Sequence, residues 1–302
     1  MDQREKMGFA AVTGAYLLWG VLPLFWNLLA EVPPMYILAQ RIVWSAVFLA
    51  LYMAATHRLA ALRPVLRRGK TLRICLVCGV LITINWGLYI YAVNSGHLLD
   101  ASMGYFLEPV LVAVIGILAF RERPSVLEKL TFAFAAAGLV YLVIRAGRFP
   151  WLALLIAGSF ALYGAVKKQS DLPAYAALFA ETLCMTPLSL CWIVWADVHG
   201  TGSLGVLHGP ALLLLVASGI VTSVPLLLFN IGVREIPYYV TGILMYMNPT
   251  MQFLMGLLLF HEPMDPDRMI AFVLIWVGIV FTIADRVQRV RRARRAAAPA
   301  AD

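Results

Sequence analysis

"LEPVLVAVIGILAFRERP", residues 107–124, decides how the whole chain is read. Most of it is apolar, yet it opens on a carboxylate beside a proline, Glu108-Pro109. A proline inside a helix removes the bond to the carbonyl at i−4, here Tyr105. Shifting the chain by 140 residues brings this stretch onto "MNPTMQFLMGLLLFHEPM", residues 247–264. Pro109 then meets Pro249, Gly116 meets Gly256, Phe120 meets Phe260 and Glu122 meets Glu262. The register continues without a gap to Phe132 and Phe272, Gly138 and Gly278, and Val140 and Val280, and backward to Gly79 and Gly219. "GAYLLWG" from Gly14 is matched in the same way by "GSFALYG" from Gly158. Pro109 and Pro249 are expected to be helix breaks shared by two copies of one element.

Composition says what that element is. Of 302 residues, 62% are hydrophobic and 13% charged, against about 25% charged in soluble domains. Too little polar surface remains to coat a soluble globule. Crossing a bilayer takes about 20 apolar residues. Ten runs qualify, near 8–30, 34–55, 72–93, 98–120, 126–145, 150–166, 173–196, 210–233, 238–260 and 267–285, the sixth being short. The first is longer than the ~7–15-residue core of a signal peptide and is expected to be retained as a helix. With the N-terminus inside, twenty of the 24 Lys and Arg residues fall in cytoplasmic segments, including Lys167 and Lys168. Only Arg145, Arg148 and Arg268 fall outside, and Arg41 lies within a span. Positive loops favour the cytoplasm, so both ends are expected there. Five spans per copy is an odd number, so the second copy enters inverted. The expected organisation is an all-α integral membrane protein of ten helices in the inner (plasma) membrane. One five-helix repeat spans 8–145, a second spans 150–285, and a basic cytoplasmic tail covers 286–302.

Several chemistries find no support. Cys75 and Cys78 spell C-x-x-C inside "ICLVCGVLI" and are read as buried small hydrophobes, with no disulfide framework and no metal site. The five histidines are scattered, H-E-x-x-H is absent, and so is a Walker loop for ATP. No cofactor and no enzymatic activity are expected. The tail "RVQRVRRARR" suits anionic inner-leaflet lipid better than nucleic acid. Inverted repeats suggest a secondary transporter whose site lies near the midplane between them. The competing readings are a membrane scaffold or sensor, which would be expected to carry a soluble domain, and an intramembrane enzyme.

The segments "YLLWGVLPLFW" from Tyr16, "QRIVWS" from Gln40, "NWGLYIYAVNSGHLLDASMGYF" from Asn85, "GIVTSVPLLLF" from Gly219 and "FHEP" from Phe260 carry a resemblance to a known family. The chain resembles the drug/metabolite transporter superfamily, with two EamA-type repeats, and within it the RarD group of chloramphenicol-sensitive proteins. The resemblance implies a ten-helix permease for small organic solutes, working as an exporter, and it supplies no particular substrate. The residue before the first proline is often Asn in similar proteins. Here it is Glu108, while the second copy keeps Asn248.

Ionisable residues within spans mark pathways by default. Arg41, Glu108 and Glu181 are the three such residues, and Glu181 corresponds to Arg41 under the repeat. Arg41 and Glu108 are expected at similar depth, where Arg41 could neutralise Glu108 or hold an anionic group. Both carboxylates are candidates for coupling to a proton, and buried ion pairs that only fix packing are the alternative. Ser102, Tyr105, Glu108 and Val112 share one helical face, Met245, Asn248 and Gln252 the matching face, and Asn85, Trp86 and Tyr89 a third. These faces are expected either to line a cavity for a small molecule or to act as interhelical glue. Gly14, Gly20, Gly158 and Gly164 should allow close helix approach. Glu122 and Glu262 should form a salt bridge or cap at the span ends.

Overall fold

The computed structural model describes residues 3–95, 97–147, 149–203, 209–259 and 265–297. Glu262, Phe260 and Arg148 lie outside them, as does the side chain of Ser102. The described residues are mostly helical, joined by turns and short connections, and contain no strand. In chain order the helices are α1 (Gln3–Asn27), α2 (Pro34–Ala55), α3 (Arg63–Arg67), α4 (Gly69–Asn94), α5 (Leu98–Ala119) and α6 (Val126–Ala146). They continue as α7 (Trp151–Lys168), α8 (Ala174–Val198), α9 (Pro210–Glu235), α10 (Tyr238–Met245), α11 (Met247–Leu258) and α12 (Pro266–Ala297). Eight of them, α1, α2, α4, α6, α7, α8, α9 and α12, are long and apolar enough to cross a membrane. α5 adds a shorter apolar stretch, Met103–Ala119. Large apolar side chains such as Leu118, Ile144, Leu188 and Leu213 point outward, as a chain solvated by lipid requires. α12 runs on without interruption through the first part of the basic tail.

The two prolines behave differently from each other. α5 is continuous through Pro109, so the expected break there is not found. The other copy does break, but at Tyr246, between α10 and α11, while Pro249 sits inside α11. The break falls where the bond to Pro249 is missing. Pro249 cannot reach the carbonyl of Met245, and the helix parts just after that residue, whereas the next donor, Thr250 N–H, returns to Tyr246 at 3.2 Å. In α5 the neighbouring carbonyl of Phe106 receives the Tyr246 hydroxyl at 3.4 Å. One copy thus stays continuous while the other supplies a group that bonds it.

Glycines set the closest crossings, and they do so in matched pairs. A Cβ on Gly138 would sit 3.2 Å from the carbonyl of Ala271, and one on Gly278 would sit 3.0 Å from the carbonyl of Thr131. Gly79 packs against the carbonyl of Glu181, and Gly219 against the backbone of Trp44 and Ser45. Each contact made by one half recurs with the halves exchanged. Gly20 is pressed on Met251 and Gly164 on Tyr238, as expected, but Gly14 and Gly158 make no comparably close approach.

Side-chain links identify the two ends of the bundle. At one end, Lys168 at the end of α7 bonds the carbonyl of Ile236 at 2.6 Å and bridges Glu122, which follows α5. Arg234, near the end of α9, donates to the carbonyl of Leu172 before α8. At the other end, Tyr36 at the start of α2 bonds Asp197 near the end of α8. There too, Arg145 and Tyr141 of α6 hold Asp267 of α12 at 2.9 and 2.7 Å.

A Cβ at position 219 would meet the backbone of Trp44 and Ser45, with the Ser45 nitrogen at 2.7 Å. Gly219→Ala is therefore expected to lower stability by about 1–3 kcal/mol. Gly14→Ala, 3.5 Å from a flexible Leu228 methyl, should leave stability unchanged or raise it slightly. Thermal unfolding of both variants in detergent checks the contrast.

Candidate functional site

A cavity of about 170 Å³ lies between the helices, displaced towards the end where α1 finishes and α2 begins. α1 lays one face along it. Tyr16, Trp19, Pro23 and Trp26 recur at i, i+3, i+7 and i+10 and all line the space. α2 contributes Arg41, and α4 contributes Asn85, Trp86 and Tyr89. α5 adds Tyr105 and Glu108, α7 adds Ile156 and Phe160, and α9 adds Thr222. Met245 of α10 and Asn248 and Gln252 of α11 close the remaining side. The break at Tyr246 lies between these last contributors.

The charged groups in the cavity do not meet. The Arg41 guanidinium lies 3.6 Å from the centre of the Trp86 ring and 5.2 Å from that of Trp26. Such stacking suits the planar, weakly hydrated guanidinium. Its Nε has no hydrogen-bond partner. Glu108 is only 6% exposed, and among the described residues no cation pairs with it. Of the two roles left open for Arg41, neutralising Glu108 is not the one seen, because the tryptophans hold the guanidinium in a stack. Two further polar atoms at the wall, the Tyr16 hydroxyl and the Thr222 hydroxyl, are buried without a partner.

Other wall groups are tied down. Asn85 donates to the carbonyl of Ile156 at 2.7 Å and to Ser159 at 3.2 Å, joining α4 to α7. Gln252 donates to Asn248 at 2.8 Å along α11. Tyr89 and Tyr105 meet edge to face at 5.5 Å. Beneath the cavity, Tyr16, Trp19 and Phe160 pack on Phe229, which stacks on Tyr163. This aromatic layer separates the cavity from the opposite end of the bundle.

Glu181 lies beyond that layer and does not line the cavity. It is 2% exposed and forms an ion pair with Lys167, which is fully buried. Lys167 is thus no loop charge, contrary to the sequence expectation. Its side chain turns inward from the last turn of α7, where the Glu181 carboxylate compensates its charge. Cys75 and Cys78 are buried free thiols nearby, at 1% exposure each. Glu122 plays the capping role expected of it. Arg121 takes φ 54°, a left-handed turn unusual for a non-glycine residue. Glu122 thereby points back at α10, where its carboxylate accepts from the N–H groups of Tyr238 (2.7 Å) and Tyr239 (2.9 Å). Gly116 leaves room for it, since a Cβ there would lie 2.6 Å from the Glu122 carboxylate.

Eight of the nine sequence-selected polar and aromatic candidates line one cavity: Arg41, Asn85, Trp86, Tyr89, Tyr105, Glu108, Asn248 and Gln252. Glu181 stands apart with Lys167. Pro109 and Pro249 are buried in the walls of α5 and α11. Tyr16, Trp19, Trp26 and Thr222 were not foreseen, although the helical spacing of the three α1 aromatics was visible in the sequence.

The chain is an apolar helical bundle around a cavity lined by polar, charged and aromatic side chains. The model of the EamA-like transporter family matches residues 6–144 and again 149–284, and the chain belongs to that family. Protein RarD of Streptomyces exfoliatus is 36% identical over 302 residues, covering 99% of this chain and 96% of its own length. The transporter YojE of Bacillus subtilis is 36% identical, covering 94% and 95%. Protein RarD of Escherichia coli is 31% identical, covering 97% and 99%. A solved structure with 20% identity has the same fold, with a TM-score of 0.69 over 94% of this chain and 98% of that one. The protein is thus a multi-pass membrane transporter of the drug/metabolite type, and transporters of this kind are not enzymes.

Lys167→Met would strip the buried Glu181 carboxylate of its ion-pair partner. It is expected to destabilise the protein by about 3–5 kcal/mol, the usual effect of breaking a buried pair from one side. Adding Glu181→Leu should restore most of the loss. Thermal unfolding of the single and double variants measures both.

Proposed function

We propose that the protein is a secondary transporter that moves a small organic solute across the inner membrane by alternating access, in the export direction. Its ten spans form two inverted five-helix repeats, residues 8–145 and 150–285, with both termini in the cytoplasm. The exchange of glycine contacts between Gly138–Ala271 and Gly278–Thr131 supports this symmetry, as does the double match to the family model. Symmetric halves can trade conformations, and this opens a central site first to one side and then to the other.

The observation that carries the proposal is the one-sided cavity. It lies on one side of an aromatic layer. On the other side, Lys167–Glu181, Lys168–Glu122 and Arg234–Leu172 tie the helix ends together. Arg41, Asn85, Trp86, Tyr89, Tyr105, Glu108, Asn248 and Gln252 form the binding surface in this reading, and Glu181 belongs to the closed end. A proton is the coupling ion proposed, with Glu108 as its carrier.

Flux through proteoliposomes tests this. A series of small solutes is loaded with and without a pH gradient, and at least one should be transported by the folded wild type. Glu108→Gln and Arg41→Ala should each reduce that rate by about tenfold or more, equivalent to about 1.4 kcal/mol at the rate-limiting step. Absence of flux for every solute, or wild-type rates in both variants, overturns the reading.

A further inference from the structure

We infer that the Lys167–Glu181 pair is the gate of the sealed end: it parts when that end opens, and its two charges then line a second vestibule that is folded shut here. The inference rests on the alternating-access reading and names the residues that the motion must separate.

The repeat gives positions at the open cavity counterparts in the other half. Pro33 and Pro173 cap α2 and α8 at the shift of 140 residues. That shift places Glu181 at the position of Arg41, Leu226 at that of Trp86 and Phe229 at that of Tyr89. In the first helix of each half the shift is 144, which places Tyr163 at the position of Trp19 and Lys167 at that of Pro23. Trp19, Pro23, Arg41, Trp86 and Tyr89 all line the open cavity. Their five counterparts are collapsed on one another, none more than 2% exposed. Lys167 pairs with Glu181 and lies 5.5 Å from the centre of the Tyr163 ring. Tyr163 stacks on Phe229 at 6.3 Å. Glu181 and Leu226 face a residual void of only about 10 Å³, no larger than a single water needs. One set of positions is thus open in one half and shut in the other. When inverted halves exchange their arrangements, the shut set opens. Pro23 and Arg41 flank the open cavity, so Lys167 and Glu181 then stand apart in the same way. Two buried charges can separate only if something else compensates them, and here water entering the vestibule does so. The outer counterparts have no such attraction, because Pro23 is uncharged and Arg41 stacks on tryptophan. At these two positions charge therefore latches the sealed end alone, and it favours the form seen here.

Side-specific labelling tests this. The four native cysteines are replaced by alanine, one reporter cysteine is added, and a membrane-impermeant maleimide is applied to vesicles of either orientation. Leu226→Cys reports the shut vestibule and Leu22→Cys the open cavity. Glu181→Gln removes the latch. It should raise labelling of Leu226→Cys from the sealed side at least fivefold and lower that of Leu22→Cys from the open side by a similar factor. A pair that only holds the bundle together would, when weakened, raise both rates or change neither, and either result overturns the inference. The unaltered chain provides a second test that needs no variant to fold. Lys167 is fully buried here. An impermeant amine-acylating reagent, followed by peptide mass spectrometry, should modify it from the sealed side only, and more slowly than the exposed Lys70. A Lys167 that stays unmodified from that side overturns the gate. The two readings fail differently. If Leu226→Cys is labelled from the sealed side equally with and without Glu181, alternation stands and the gate falls. If it is labelled from neither side in either chain, the alternating-access reading falls as well.

Discussion

The ion pair between Lys167 and Glu181 fixes the arrangement on which the other features depend. Neither charge could remain in an apolar interior alone, so the end of α7 must meet α8 at this depth. α7 then runs from one functional region to the other along a single face. Ile156 and Phe160 line the cavity, Tyr163 lies in the aromatic layer, and Lys167 reaches the pair. Phe160 and Lys167 are separated by roughly 10 Å of helix rise. Asn85 attaches α4 to the cavity end of α7, and the Tyr238 hydroxyl attaches α10 to its middle by bonding Ala161 at 2.6 Å. With α7 held in place, the position of the cavity and its one-sidedness follow.

Glu122 works at the same end by a different kind of interaction. Its two carboxylate oxygens accept the first free N–H groups of α10, where a helix N-terminus favours negative charge. Lys168 balances that carboxylate at 3.5 Å. α10 is only eight residues long, and all but one of them are buried. A segment this short gains little from its own hydrogen bonds, so its cap and its neighbours hold it. α11 begins after the break and carries Asn248 and Gln252 to the cavity. One apolar run thus serves two neighbourhoods, the sealed end through α10 and the cavity through α11.

Much of this was legible in the sequence, for identifiable reasons. Apolar run length marks helices, and a polar residue in such a run is conspicuous, so Arg41, Glu108, Asn248 and Gln252 stood out. The shared spacing of Gly138 and Gly278 marked the repeat, though not the crossings they make. What stayed hidden depended on direction in space. Lys167 precedes a second lysine at a helix end, where lysine ordinarily reaches outward to water, and nothing local shows that it turns inward. Arg41 and Glu108 sat at compatible depth, but pairing depends on rotamers, and the rings of Trp26 and Trp86 decided that. Pro109 and Pro249 both predicted a lost bond. Whether a helix parts at the lost bond depends on its neighbours, and these differ between α5 and the α10–α11 pair.

The sealed end also has a consequence for the electric field across the membrane. A single elementary charge moved through the full potential exchanges about 2.3 kcal/mol per 100 mV. Lys167 and Glu181 together carry no net charge, so any displacement they make as a unit couples to the field only as a compact dipole. A lone lysine at that depth would act as a voltage sensor. Joined to its carboxylate, it adds almost nothing to any effect of the membrane potential on the closure of this end.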